Sequence, residues 1–335
     1  MTQPESNGGG HVLPTPAEHL SSPRTRAVLR VQQRLLAAAR EYLVGEQGCM
    51  ELLPPIIGPV TDPGARGAKQ VDIDYYGRTY KLMTSGILYK QAALLGFDRI
   101  VNVAPNVRLE PLETASTRRH LAEFHQLDVE IAHASRDEVM DLAEGLLKHV
   151  VRAVVDDRAA ELELLSRDVA ALKEVVNGGF DRRRHADVVA QVRAGGYEQS
   201  PDAEIDWHAE ASVSEQAVRP FFITDYPKGS RGFYDRESET EPGVLRNFDL
   251  IVPEGYGEIA SGSEREWDYR RIMTRLRETG ENPAKYDWYL DMVRAGIPAS
   301  AGFGIGVERL TRYLTGVDEV WQASAFPKVP GVFSA

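Results

Sequence analysis

Apolar residues recur at helical spacing in two long stretches. One runs from Arg24 to about Gly48, RTRAVLRVQQRLLAAAREYLVGEQG. The other covers 136–157, RDEVMDLAEGLLKHVVRAVVDD. Each places its apolar positions on one face of a 3.6-residue turn, so each is predicted as an amphipathic helix. Elsewhere the period drops to two. RIVNVAPNVRLE (99–110), EFHQLDVEIA (123–132) and NFDLIVP (247–253) read as strands. QVDIDYYGRTYKLM (70–83) alternates around a Tyr-Gly turn and reads as a hairpin. MELLPPIIGPV (50–60) reads as a buried strand shortened by its prolines, and RPFFITDYP (219–227) and GFYDRE (232–237) as further strands. GILYKQAALLGF (86–97) is predicted helical, as is the region from about Glu264 to Thr279. Strands interrupted by helices without regular alternation point to an α+β fold with an antiparallel sheet. Residues 1–23, rich in Gly, Pro, Ser and Glu, are expected to be a disordered tail, and about 160–215 a charged, mostly helical insertion.

At GFGIGVERL (302–310) the period-two pattern lacks a polar partner: Gly302, Gly304 and Gly306 alternate with Phe303, Ile305 and Val307. In a strand this buries one face and leaves the other bare. Glycine in a strand marks close approach, by a ligand or by another backbone. Both readings stay open at this point: a flat group on the bare face with Arg309 reaching a phosphate, or tight packing alone.

Composition narrows the function. The chain has 335 residues, 42% hydrophobic and 27% charged, with net charge −11. Such an acidic balance argues against non-specific nucleic-acid binding, and an anionic substrate needs a local cationic cluster. Cys49 is the single cysteine, so neither a disulfide framework nor a thiolate zinc site is expected. No apolar run reaches membrane-spanning length and no signal core is visible, so a cytoplasmic location and no membrane partner are expected.

Candidate chemistry collects in four places. Arg108 and Glu110 end a strand beside a polar loop carrying Arg118, Arg119 and His120; a solvated loop is the plainer reading. Phe124, Gln126 and Asp128 share one strand face, where a Gln and an Asp are poor core material and could receive an ammonium group. Lys90 lies in a helical stretch, where a surface lysine is the plainer reading. FDLIVPEGYGEIASGSERE (248–266) puts Asp249 and Glu258 on either side of a Gly-Tyr-Gly turn, followed by Arg265. Two carboxylates near a phosphate site suit Mg2+; a surface hairpin is the alternative.

Taken together, RLE…RRHLAEF, FDLIVPEGYGEIASGSERE and GFGIGVERL resemble the catalytic core of a class II aminoacyl-tRNA synthetase of the aspartyl/asparaginyl subgroup, over about residues 25–335. ELLPPII resembles, in degenerate form, the first motif of that class, its dimer interface, so a homodimer is expected. The resemblance implies a mostly antiparallel sheet flanked by helices, built as one catalytic domain over 24–335. It implies ATP as co-substrate. Arg108 would hold the α-phosphate, Glu110 the adenine amino group, and Phe124 and Arg309 the two adenine faces. Arg119 and His120 would assist at the phosphates, with Gly304 and Gly306 making room. Asp249 and Glu258 would hold Mg2+. Lys90 and Arg265 would clamp a carboxylate of the amino acid beside Ser261, and Gln126 and Asp128 would take its ammonium. A lysine at position 90 favours aspartate over asparagine, while Ile87 stands where aspartyl enzymes carry glutamine.

Two features depart from tRNA-charging relatives. The residues before Arg24 cannot supply an anticodon-binding barrel, and the Glu110–Arg119 loop is longer than in typical relatives, so tRNA is not the expected partner. NVRLE, EFHQLDVE, FYDRE, SGSEREW and FPKVPGV resemble the archaeal-type asparagine synthetases, which share the core. That resemblance implies an asparagine synthetase: aspartate activated on its side-chain carboxylate as an adenylate, then attacked by ammonia. The alternatives are another amine acceptor in a secondary pathway, a truncated tRNA ligase, or a non-catalytic paralogue.

Overall fold

Period-two segments become the strands of one large sheet. The computed structural model describes residues 13–63 and 67–332. Its strands are β1 (Met50–Glu51), β2 (Ile57–Gly58), β3 (Asp72–Tyr75), β4 (Arg78–Leu82), β5 (Arg99–Val107), β6 (Glu123–Ala132), β7 (Asp181–Arg184), β8 (Phe221–Thr224), β9 (Asn247–Val252), β10 (Gly257–Glu264) and β11 (Ser300–Gly306). Eight of them pair in the order β1-β5-β6-β11-β10-β9-β8-β7, while β2, β4 and β3 form a small separate sheet. In the large sheet only the end pairs, β1 with β5 and β7 with β8, run parallel. The fold is therefore the expected α+β arrangement around a mostly antiparallel sheet.

The helices are α1 (Pro16–Ser21), α2 (Pro23–Arg40), α3 (Ile87–Ala93), α4 (Arg136–Asp157), α5 (Ala159–Leu164), α6 (Val169–Val176), α7 (His185–Ala194), α8 (Trp207–Glu215), α9 (Tyr269–Glu278), α10 (Asp287–Ala295) and α11 (Val307–Thr315). Ser135 caps α4 in a reciprocal box with Glu138, which sets the start where the apolar period begins. One face of the sheet is apolar: Leu127, Val129, Phe303, Ile305, Phe248 and Leu250 pack with Leu35 of α2 and Leu146 and Val150 of α4. Burying a side chain such as Phe303 contributes roughly 1.5–3 kcal/mol. A second core joins Ile87 and Leu88 of α3 to Ile272 and Leu276 of α9 and Tyr289 of α10. No helix of the described residues is long and apolar enough to cross a membrane.

Several sequence expectations need correction. The tail expected over 1–23 lies partly outside the described residues; from 16 to 21 it is helix α1, capped by Thr15, with His19 buried. A capping box and a proline at the first turn outweigh the polar composition. The stretch from 160 to 215 is mostly helical, through α5 to α8, but β7 leaves it to extend the large sheet. MELLPPIIGPV yields only the two-residue strands β1 and β2, since Pro54, Pro55 and Pro59 lack ladder donors. GFYDRE is not a strand; it touches the sheet through single bridges, Asp235 with Arg265 and Glu237 with Leu245. The helix expected from Glu264 begins at Tyr269, after β10 ends.

Candidate active site

The register between β6 and β11 explains the glycine pattern. Gly302 lies opposite Glu130, Gly304 opposite Asp128, and Gly306 opposite Gln126. Cross-strand partners share a face, so each missing side chain sits beside a polar one. A Cβ on Gly304 would come within 2.6 Å of Asp128 Oδ1 and 2.9 Å of Gln126 Nε2, and one on Gly302 would collide with the Glu130 carboxylate and the Val129 carbonyl. The bare face is thus filled first by the neighbouring strand's acids. Only at Gly306 does the stem of Arg309 lie alongside, at 3.5 Å.

On that polar face the sheet carries a floor of buried charge. Lys90 projects from α3 and donates to Asp128 Oδ1 at 3.0 Å and to the Phe303 carbonyl at 3.2 Å; Glu130 Oε2 lies 3.7 Å away. Lys90 is 4% exposed, so it is not the surface lysine of the plainer reading. Glu130, fully buried, also accepts from Arg265 Nε at 2.9 Å and Nη2 at 3.1 Å, and from Ser300 Oγ at 2.9 Å. Arg265 reaches Asp235 at 3.5 Å. Burial opposes the Arg265 cation, but Glu130 and Asp235 outweigh it and hold its pKa above the usual guanidinium value. Burial likewise pushes the Asp235 carboxyl up, against the pull of Arg265. Asp128 Oδ2 is buried and accepts no hydrogen bond. A buried carboxylate oxygen in that state calls for a donor from outside the chain.

The other end of the pocket is cationic and aromatic. Arg108 stacks over Phe124 at 5.1 Å and donates to the Thr84 carbonyl at 3.0 Å. Arg309, on α11, donates to the Arg119 carbonyl at 3.3 Å and lies 3.4 Å from Glu258 Oε1. His120 bonds to Thr117 on the loop between β5 and β6. Glu110 lines the same space. Gln126 accepts from Asn106 at 2.9 Å, so its oxygen is already engaged.

Lys90, Arg108, Glu110, Arg119, His120, Phe124, Gln126, Asp128, Glu258, Ser261, Arg265, Gly304, Gly306 and Arg309 all line one pocket. Asp249 does not. It is buried on β9, where Arg231 Nη2 meets its Oδ2 at 2.6 Å and also reaches Ser261 Oγ through Nη1 at 2.9 Å. The pair Asp249 and Glu258 still fits a hard divalent cation. Asp249 Oδ1 is buried without a hydrogen-bond partner, Glu258 faces the pocket, and carboxylate oxygens are the donors Mg2+ prefers. Among the described residues no third acid joins them, so phosphate oxygens and water would complete the shell.

Residues that the sequence reading passed over also build this site. Glu130 continues the period of Phe124, Gln126 and Asp128, and that spacing was the available signal. Arg231, Tyr234 and Asp235 come from the loop after β8, and Tyr234 donates to Asp62 at 2.9 Å. Glu204 and Glu210 reach in from the insertion. No local pattern marks these pairings, because the partners lie far apart in the chain.

A family model described as class II tRNA synthetases (D, K and N) matches residues 15–330. The asparagine–tRNA ligase of Pyrococcus abyssi is 34% identical over 318 residues, covering 93% of this chain and 70% of the relative. That of Lactococcus lactis is 30% identical over 349 residues, covering 98% and 77%. The chain spans about 70% of the length of the Pyrococcus relative. Among solved structures, asparaginyl-tRNA synthetase from Pyrococcus horikoshii complexed with asparaginyl-adenylate superimposes with a TM-score of 0.90 at 32% identity, covering 96% of this chain and 72% of that one. A putative aspartyl-tRNA synthetase from Leishmania major, at 23% identity and a TM-score of 0.78, shares the fold.

Proposed function

Because the chain belongs to the class II tRNA synthetase family of the D, K and N group, we propose that it is an ATP-dependent ligase that activates aspartate as an aspartyl adenylate and passes it to ammonia, giving asparagine, AMP and pyrophosphate. The observation that carries the amino-acid reading is the floor of the pocket. Asp128 Oδ2 is a buried acceptor with no donor, next to the buried cations Lys90 and Arg265. An amino acid supplies an ammonium for the first and a carboxylate for the second. Activation of a side-chain carboxylate calls for aspartate, because asparagine carries an amide at that position.

In this reading Lys90 and Arg265 hold the α-carboxylate, leaving the side-chain carboxylate to attack the α-phosphorus. Arg108 stabilises the charge that develops there, Arg119 and His120 bind the remaining phosphates, and Phe124 and Arg309 enclose the adenine, whose amino group meets Glu110. Positioning and charge do most of the work at such a step. Asp249 and Glu258 would hold Mg2+, which screens phosphate charge when bound. The apolar residues beside the edge strand β1, Leu53 at 98% exposure and Ile56 at 57%, suit a second copy of the chain, so the working form is proposed to be a homodimer.

A second reading is transfer of the amino acid to a tRNA end. It rests on the curated relatives, which are named asparagine–tRNA ligases. Mass spectrometry of products separates the two. AMP and asparagine formed from ATP, Mg2+ and aspartate only when ammonium is added supports the synthetase. Asparagine-dependent exchange of pyrophosphate into ATP, with charging of tRNA, overturns it in favour of the second reading.

A further inference from the structure

Two charge triads, each built on a largely buried arginine, link the insertion to the nucleotide end of the pocket. In the first, Glu204 lies 2.5 Å from Arg231 Nε and accepts from Nη2 at 3.0 Å, while the same guanidinium holds Asp249 at 2.6 Å. In the second, Glu210 accepts from Arg119 Nη1 at 2.8 Å, while Arg119 Nη2 lies 3.4 Å from Glu258. Each arginine is shared between one acid of the insertion and one acid of the proposed cation pair. The insertion is shaped for this. Asp206 caps α8 and sets Glu210 in its first turn, where Glu210 also accepts from the Glu258 backbone at 2.8 Å. Gly257 leaves the room: a Cβ there would stand 2.6 Å from Glu210 Oε1.

We propose that Glu204 and Glu210 are positioning residues that keep Arg231 and Arg119 paired when a divalent cation arriving with the nucleotide takes Asp249 and Glu258. The inference rests on the reading of Asp249 and Glu258 as that cation's ligands. Its logic is electrostatic. A buried guanidinium that loses its only acid is costly. With the insertion acid present, Arg231 and Arg119 can release Asp249 and Glu258 and remain neutralised. With it gone, each arginine clings to its cation-pair acid and competes with the metal. Removing a nearby negative charge also weakens the local attraction for a cation, so both effects have the same sign.

The probe is Mn2+ with β,γ-methylene ATP on the full-length protein, read as enhancement of water proton relaxation when the complex sits on the protein. Glu204→Gln and Glu210→Gln should each weaken the complex roughly tenfold. Glu198→Gln, an exposed change on the same insertion, should match the parent. Glu210→Asp restores the charge and should recover most of the loss, which a purely structural role for Glu210 would not produce. Steady-state kinetics should raise KM for ATP more than they lower kcat. Binding by the parent that both Gln variants leave unchanged overturns this inference alone. Binding that Asp249→Asn leaves unchanged, or none in the parent, overturns the reading of the cation pair on which it stands.

Discussion

Replacing Glu130 by glutamine removes the charge on which the pocket floor is assembled. Glu130 is fully buried between Lys90 and Arg265. At an effective dielectric constant of ~20, Coulomb's law puts about 4.5 kcal/mol on the Lys90 pair at 3.7 Å and about 5.7 kcal/mol on the Arg265 pair at 2.9 Å. Desolvation of the carboxylate opposes this by several kcal/mol, so a net loss of about 3–5 kcal/mol is expected when the two cations are left facing a neutral amide. Asp128 and Asp235 remain as partners and keep the loss at the lower end of that range. The assay is urea unfolding followed by circular dichroism, which should show a clearly lower midpoint at unchanged slope. Aspartate-dependent exchange of pyrophosphate into ATP, measured well below that midpoint, should need far more aspartate, because Lys90 and Arg265 lose their common spacer. A stability change below about 1 kcal/mol would refute the reasoning, since the pocket floor would then not depend on Glu130 as a buried counter-ion.

Other expected outcomes are more local. Lys90→Met should abolish most amino-acid-dependent exchange, by about 10- to 100-fold, while ATP binding measured by calorimetry survives, because Lys90 lies at the opposite end of the pocket from Arg108 and Phe124. The hydrogen bond to Glu308 raises the pKa of His125 above its ordinary 6.5, against burial. The protonated pair therefore contributes stability that is complete below pH about 6.5 and fades as pH climbs through the raised folded value; unfolding midpoints of the parent should fall toward those of Glu308→Gln over that window. Leu53→Asp should shift the chain from dimer to monomer in size-exclusion chromatography with light scattering; an unchanged mass would remove the first-motif face as the interface.

Legibility in the sequence tracked how local each cause was. β6 and α4 match the periodic segments to the residue, because burial of one face is written in every second or every third to fourth position. The pocket-lining residues of the quoted motifs came together for the same reason, each motif being anchored to such a segment. GFYDRE misled because aromatic alternation mimics a strand, yet its backbone meets neighbours only at isolated bridges. Asp249 reads in sequence as a pocket acid, but Arg231, 18 residues earlier, covers it. Arg119 and Glu210 are 91 residues apart, and nothing near either one announces the other. The glycine strand leaves two readings open in sequence, a ligand or close packing; its cross-strand partner, residue by residue, is the acid-bearing face of β6, more than half the chain away, while Gly304 and Gly306 also line the pocket.

That separation bears on how the protein is made. β11 lies between β6 and β10, yet in the chain it comes after every other described strand of the large sheet. Without β11 the strand order leaves two half-sheets, β1-β5-β6 and β10-β9-β8-β7, each with an inner edge whose backbone groups need a partner. Such edges invite pairing with the wrong strand or with another chain, and translation at about 5–20 residues per second leaves them waiting for seconds. Arrival of residues 300–306 zips both edges at once and, in the same movement, brings Asp128, Ser261 and Arg309 to one pocket. Placement of β11 thus joins the sheet and assembles the site in one step, and a chain without residues 300–306 would carry the other motifs without the pocket.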